Sequence, residues 1–353
     1  MRVGMIAPPW FPLPPQRYGG IEFVVSLLTE GLVRHGHDVT LVASGDSTTE
    51  ARLSYIFARA PFEQIEGGGH LEVVHSLRAY TQARDFDVIH DHDGLASRAM
   101  GALVHRLIGT PVVATLHGPA DATTQEMLSS LRHDLKFIAI SEYQRNGFPD
   151  LDFVGTIPNA IDVEHMPFSA QKEDYFLFIG RMIADKGAHT AIEVARRLGA
   201  RLILAGKVNE GPEREYYSQR VEPYLSENIH FRGEVDHDTK VELYKRARCT
   251  LFPILWPEPF GLVMIESLAC GTPVIALRQG SVPEIIEHGR TGFIVDTADE
   301  MFEAARHIDE IDPAECRRAV EERFGSDAFV AAHEAAYRRL PEDRAQDAGV
   351  SPG

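Results

Sequence analysis

At 353 residues with 44% hydrophobic residues, the chain is long for one core and comfortable for two, and its apolar share is that of a globular protein. A formal charge of −17 argues against nucleic acid and against charge-driven docking on anionic lipid, while leaving room for a local basic patch that holds a diphosphate. The three cysteines, Cys249, Cys270 and Cys316, are widely spaced and odd in number, which suits neither a disulfide framework nor a zinc site. No apolar run approaches a membrane span, and the first residues are too Pro-broken for a signal peptide, so a cytoplasmic protein is expected.

In the first half, short apolar strands alternate with amphipathic helices, the pattern of a doubly wound parallel sheet. Arg2–Ala7 reads as the first strand. The Pro-rich run Pro8–Pro15 cannot pair in a sheet and is expected to arch over the strand ends. Gly19-Gly20 then opens a helix over about 21–35. A glycine pair there lets backbone approach a ligand and offers N–H groups to negative charge, or it forms only a turn. The G-x-G-x-x-G dinucleotide pattern follows no predicted strand. Strands are expected at 37–43 and near 53–57, then a Gly67-Gly-Gly69 loop, a helix over 71–83 and a strand at 87–90.

His90-Asp-His-Asp93 ends that strand, where open α/β sheets place ligands. Alternating His and Asp invites a metal, but no carboxylate-rich partner cluster accompanies it, and a structural or acceptor-facing role fits better. Asp93 equally suits the N-cap of a helix over 94–108. After a strand at 111–116, His117-Gly118-Pro119 puts an imidazole where it can reach into a cleft or merely cap the strand. A strand at 136–140 ends in Ser141, a candidate cap for a short helix. Val154–Ile157 leads into Pro158-Asn159, and the polar stretch to about Asp174 reads as a linker.

The second half restarts the pattern. A strand at 175–179 runs into Gly180-Arg181-Met-Ile-Ala-Asp185-Lys186-Gly187. Two cations on a Gly-bounded loop at a strand's C-terminal end can converge on one diphosphate, or stay solvated. Asp185 is expected to cap a helix over 186–199. Lys207, after a strand at 201–205, is either a further phosphate neighbour or simply exposed. Helices over 212–226 and 237–247 and strands at 229–231 and 249–253 follow, with Arg232–Val235 as a loop between them.

Everything converges on Trp256–Ala276. Glu258 stands before a Pro-Phe-Gly turn, Gly261 opens a helix carrying Leu262, Val263, Ile265 and Leu268, and Gly271 and Pro273 stop it. The N–H groups of residues 261–263 form a partly positive helix start that suits a phosphate. Glu258 and Glu266 flank it. Carboxylates so close to an anion site would repel phosphate, so they are expected to grip neutral hydroxyls beside it, as on a sugar or a ribose. Residues 297–341 read as helical, with Ser326 as an N-cap, and the last stretch is polar.

Glu258-Pro-Phe-Gly-Leu, Glu266 and Gly271-Thr-Pro-Val together resemble the donor-site motif of the retaining glycosyltransferases of family 4. Gly180-Arg181 with Lys186-Gly187, the Gly19-Gly20 pair, His117 and Pro158-Asn159 also fit that family, and Gly289–Phe293 resembles its last hairpin-like loop. The resemblance implies an α/β protein of the GT-B fold, two doubly wound Rossmann-like domains facing across a cleft. An acceptor domain would span 1–160 and a sugar-nucleotide donor domain 173–325. A terminal helix at about 326–341 would cross back to the first domain, and 342–353 would form a flexible tail.

It implies metal-independent transfer of a glycosyl unit from a nucleoside diphosphate sugar to an acceptor hydroxyl, with retention and with no cofactor. The acceptor would be a sugar, a small molecule or a lipid-linked group. Arg181, Lys186 and the amides of Gly261, Leu262 and Val263 would stabilise the leaving diphosphate. Glu258 would hold sugar hydroxyls, Glu266 the ribose, and His117 the sugar. Gly19, Gly20, Phe260 and Val235 would line the donor, Val235 through backbone near the base. A sugar-nucleotide epimerase, or a non-catalytic sugar-nucleotide-binding protein, is the alternative, since fold does not fix function.

Overall fold

The computed structural model of the chain describes residues 1–65 and 68–347. Gly67, in the expected glycine loop, and residues 348–353 of the expected tail lie outside the described residues. The chain forms two compact units, Met1–Asn159 together with the helix from Ser326, and Ala160–Gly325.

The first unit holds seven parallel strands, β1 Arg2–Ile6, β2 Asp38–Val42, β3 Arg52–Ser54, β4 Val88–Asp91, β5 Val112–Thr115, β6 Lys136–Ala139 and β7 Phe153–Thr156. They lie in the order β3-β2-β1-β4-β5-β6-β7. Its helices are α1 Gly20–Arg34, α2 Gly69–Tyr80, α3 Leu95–Ile108, α4 Ala122–Ser129 and α5 Glu142–Asn146. Strands covered on both faces read as unbroken apolar runs, which is why Val112–Ala114 and Phe137–Ala139 are fully buried and easy to predict. Helix α4 is the element the sequence hides: Ala-Thr-Thr-Gln-Glu-Met-Leu-Ser buries only Leu128 and so has no apolar stripe. It is specified at its start, where Asp121 accepts from the Thr124 N–H. Ser141 caps α5 in the same way through the Gln144 N–H.

The second unit stacks six parallel strands, β8 Phe176–Ile179, β9 Leu202–Ala205, β10 Ile229–Phe231, β11 Cys249–Phe252, β12 Val274–Leu277 and β13 Gly292–Val295, in the order β10-β9-β8-β11-β12-β13. Its helices are α6 Ala188–Leu198, α7 Pro212–Arg220, α8 His237–Arg246, α9 Leu262–Ala269, α10 Val282–Ile285, α11 Ala298–Arg306 and α12 Pro313–Arg323. All three cysteines are buried thiols.

The last helix, α13 Ser326–Asp347, packs on α1 and β7 of the first unit. Gly31 of α1 makes the approach possible, because a Cβ there would come within 2.3 Å of Val330. Burial of His333 and Tyr337 ties this helix into the core of the first unit. No helix among the described residues is long and apolar enough to cross a membrane.

Several expectations are corrected. Asp93 does not cap α3. Gly94 holds that position, and the buried Asp93 carboxylate accepts from the Ser76 hydroxyl. Asp185 caps nothing either, because a short 3-10 turn at Ala184–Lys186 precedes left-handed Gly187 at φ +77°, from which α6 starts. The helix expected over 212–226 ends at Arg220, before a second 3-10 turn at Glu222–Tyr224. Residues 289–293 form no hairpin, since β13 runs parallel to β12 and Gly289 N–H closes a turn on the Gly292 carbonyl. The terminal helix passes through Pro341 and ends at Asp347, inside the segment expected to be a tail.

Candidate functional site

In the first unit the histidine–aspartate run at the end of β4 turns mainly inward. Asp91 accepts from the Tyr80 hydroxyl (2.7 Å), the Ser97 hydroxyl (2.7 Å) and the Asp93 amide (2.8 Å), so its carboxylate is satisfied within the protein. His90 bridges the Tyr337 and Thr115 hydroxyls, each at 2.7 Å. His92 Nδ1 lies 2.9 Å from Nε2 of His117, with the two rings stacked at 5.2 Å. His117 follows β5 directly, and this contact fixes its ring. Burial first, then Arg98 and His333, pushes its imidazole down to about 3, so it is neutral and works as a hydrogen-bonding group.

Gly19 precedes α1 with φ +139°, and no side chain caps the helix start. A Cβ at Gly19 would meet Pro15 at 2.8 Å and Glu22 Oε2 at 3.0 Å, so only glycine fits. Gly20 is the first helical residue. Glu22, which sequence reasoning did not single out, is 5% exposed, and burial raises its carboxyl to about 7.

In the second unit, Arg181 follows β8 and donates through Nε (3.0 Å) and Nη2 to Glu213 Oε1. Glu213 also accepts from the backbone N–H (2.9 Å) and side-chain amide (3.0 Å) of Asn209. This carboxylate fixes the Arg181 fork, and nothing local in the sequence announces it. Lys186 Nζ donates to Glu258 Oε2 at 2.5 Å and lies 5.0 Å from the centre of the Trp256 ring. The loops carrying them are locked together by the Leu255 N–H on the Asp185 carbonyl (2.7 Å). Gly187 is obligatory, because a Cβ would stand 2.0 Å from the Pro253 carbonyl oxygen. Gly280 is equally tight against Glu258, whose carbonyl accepts from the Ser281 N–H at 3.0 Å.

Gly261, at φ +89°, starts α9 without a side-chain cap. Leu262 and Val263 are half-buried at that start. The Phe260 side chain is buried against Phe324, and its carbonyl accepts from the Ser281 hydroxyl at 2.8 Å. Glu266 is buried and accepts from Lys240 Nζ (2.6 Å) and the Tyr244 hydroxyl (3.1 Å). The two glutamates of the motif therefore hold different lysines, Glu258 with Lys186 and Glu266 with Lys240. Lys240 and Tyr244 were missed. Their spacing of one helical turn on α8 is the only trace they leave in the sequence. Val235 sits half-buried just before Asp236, which caps α8.

Residues 164–322 match the family model described as Glycosyl transferases group 1, and residues 18–165 match Glycosyltransferase Family 4. The two run on from one another and take in the glycine pair, His117, the Arg181–Lys186 loop and both motif glutamates. The chain belongs to the family 4 glycosyltransferases. This glycosyltransferase is 27% identical to glycogen synthase of Mycobacterium tuberculosis, over 93% of its own length and 91% of the relative's. It is 29% identical to phosphatidyl-myo-inositol mannosyltransferase of Mycobacterium leprae, over 85% and 84% of the two chains. Its GT-B fold is shared with the Anabaena protein HepE, solved with UDP and glucose, at a TM-score of 0.76 and 18% identity over 96% of this chain and 100% of that one.

Proposed function

We propose that this glycosyltransferase moves a glycosyl unit from a nucleoside diphosphate sugar to an acceptor hydroxyl, with retention of anomeric configuration and without a metal ion. The observation that carries the reading is the Lys186–Glu258 pair beside the uncapped start of α9, with Arg181 anchored by Glu213 on the same unit. The second unit is assigned the donor and the first the acceptor. The UDP held by HepE supports a nucleotide at such a fold.

The bond between the anomeric carbon and the diphosphate oxygen breaks, and charge grows on the leaving phosphate. Arg181, Lys186 and the amides of Gly261, Leu262 and Val263 answer that charge. Lys186 has several N–H donors, so it holds phosphate while keeping Glu258. Glu258 holds sugar hydroxyls, Glu266 the ribose through the face its lysine and tyrosine leave open, and His117 steadies the sugar as a neutral imidazole. Gly19 and Gly20 admit the ligand closely, the backbone at Phe260 shapes the turn, and that at Val235 borders the base. The acceptor oxygen bonds to the anomeric carbon on the face the diphosphate leaves, and its proton passes to the departing phosphate oxygen.

Thermal unfolding with a panel of UDP-, GDP-, ADP- and TDP-sugars tests the donor site. A ligand at 100 times its dissociation constant adds about 2.7 kcal/mol. One nucleotide series is expected to stabilise the protein, and Lys186→Ala to reduce the shift. A flat response to every nucleotide sugar would overturn the reading. Release of nucleoside diphosphate only when an acceptor is present then separates transfer from epimerisation and from binding without turnover.

A further inference from the structure

We propose that the pocket beside His117 is an anion subsite, built on Arg98, for a carboxylate or phosphate monoester carried by the acceptor. The proposal rests on the reading of the first unit as the acceptor side. The pocket has a volume of about 250 Å³ and lies wholly within that unit. Leu95 and Arg98 of α3, Leu116 and Gly118 on either side of His117, and Met127 and Leu128 of α4 form much of its lining. Its walls are mainly apolar, and Arg98 is the one charged lining residue among those described.

Arg98 is an arginine with no direct ion pair among the described residues. Among the described residues no carboxylate lies within ion-pair distance of it; its Nη2 reaches only the Thr115 carbonyl, at 3.4 Å, and its Nε is buried with no hydrogen-bond partner. Asp91, Asp93 and Glu72 are near enough to favour its charge, while burial works against it. Asp91 is committed to Tyr80 and Ser97, while Asp93 accepts from the Ser76 hydroxyl at 3.3 Å and keeps its other oxygen without a partner, still beyond ion-pair distance of Arg98. Buried charges are ordinarily paired, because an isolated one forfeits its hydration without return.

A guanidinium that the protein leaves without a direct ion pair, in the wall of a pocket, is a seat for an anion from outside. Its planar fork matches a carboxylate or a phosphate. The volume is too small for a whole sugar-bearing acceptor and large enough for an anionic end with a few carbons. Since Leu116 and Gly118 flank His117, an acceptor anchored there presents its remaining hydroxyls beside that imidazole.

The test is an NMR titration of the full chain with inorganic phosphate and, separately, acetate, following the backbone amides of Gly118 and Thr124. At least one probe is expected to give saturable shifts at both amides. Arg98→Gln is expected to weaken that binding about ten-fold or more, the loss of a charge-assisted contact. Met127→Trp, which fills the pocket from its half-exposed side and leaves Arg98 in place, is expected to do the same and carries the test should Arg98→Gln fail to fold. Saturation by phosphate alone assigns a phosphate monoester, and by acetate alone a carboxylate. Absence of saturable shifts with both probes, or shifts unchanged in the variants, overturns the subsite. Nucleotide-sugar stabilisation that persists in Met127→Trp keeps the donor reading standing independently of this outcome.

Discussion

Lys186→Ala is expected to lower kcat roughly 10²–10³-fold, the effect of deleting one preorganised donor aimed at developing negative charge. The loss should fall more on kcat than on donor affinity. The diphosphate is already anionic in the donor, but the charge on the bridging oxygen grows only as the glycosidic bond lengthens, and interactions that strengthen at that moment lower the barrier. The geometry makes Lys186 stiff enough for this role: Glu258 takes one N–H at 2.5 Å, the Trp256 ring covers the ammonium, and Gly187 presses the loop against Pro253. Such fixation keeps the reorganisation cost low when charge appears.

Deleting the lysine also leaves Glu258 without its cation beside an anion, which weakens donor binding by repulsion. Lys186→Ala/Glu258→Gln removes that second effect. The double variant should regain donor affinity, as read by nucleotide-sugar stabilisation, while kcat in single-turnover assays stays low. Lys186→Arg keeps the charge but trades a compact ammonium for a planar fork and should recover only part of the rate. Wild-type turnover in Lys186→Ala would remove the clamp from the mechanism.

What the sequence reveals of this fold follows from where the information sits. Parallel strands buried on both faces announce themselves as short apolar runs, so β5, β6 and β9 are found to within a residue or two, and the motif of α9 carries its own glycine and proline punctuation. Pairings between distant residues leave no such mark. Glu213 lies 32 positions from Arg181 and Lys240 26 positions from Glu266, and each is one acidic or basic residue among many on an amphipathic helix. The same holds for the His92–His117 contact, which arises only because β4 and β5 are neighbours in the sheet.

Asp93 and Asp185 show the opposite failure. An aspartate just before a helix carries the capping signature, yet the backbone makes its turn at Gly94 and Gly187, and each aspartate falls outside the cap position. At Gly187 the left-handed backbone, and the Pro253 carbonyl 2.0 Å from where a Cβ would stand, keep every other residue out of the cap position, whereas Gly94 is extended and holds its place by where the chain turns. Arg98 is the least legible of all. Its significance is that, among the described residues, the carboxylates near it stop short of ion-pair distance, and such a gap has no sequence pattern.

Glu22→Gln is expected to stabilise the protein by up to about 3 kcal/mol at pH 8 and to make no difference at pH 4. The Glu22 carboxyl is raised from its ordinary 4.5 to about 7 in the folded chain, with burial as the cause and its own backbone N–H opposing. Below pH 4.5 the group is protonated in both states and folding carries no penalty. Between 4.5 and 7 the folded state binds a proton that the unfolded state has released, so stability falls by about 1.4 kcal/mol per pH unit until the folded group also ionises. Glutamine mimics the neutral acid at every pH and cancels this fall.

Three histidines run the other way. His75, His117 and His333 are lowered from 6.5 to about 4, 3 and 4, so each withdraws stability as pH drops below 6.5. Their slope is common to both proteins and vanishes in the difference. Urea unfolding of wild type and variant from pH 4 to 8 therefore isolates one carboxyl, and a difference that stays flat across that range would show that Glu22 ionises alike in folded and unfolded chains. A rising difference would mean that, below its raised value, the start of α1 keeps a neutral acid next to Gly19 and Gly20. A phosphate approaching those two amides then meets no opposing charge from the residue packed beneath them.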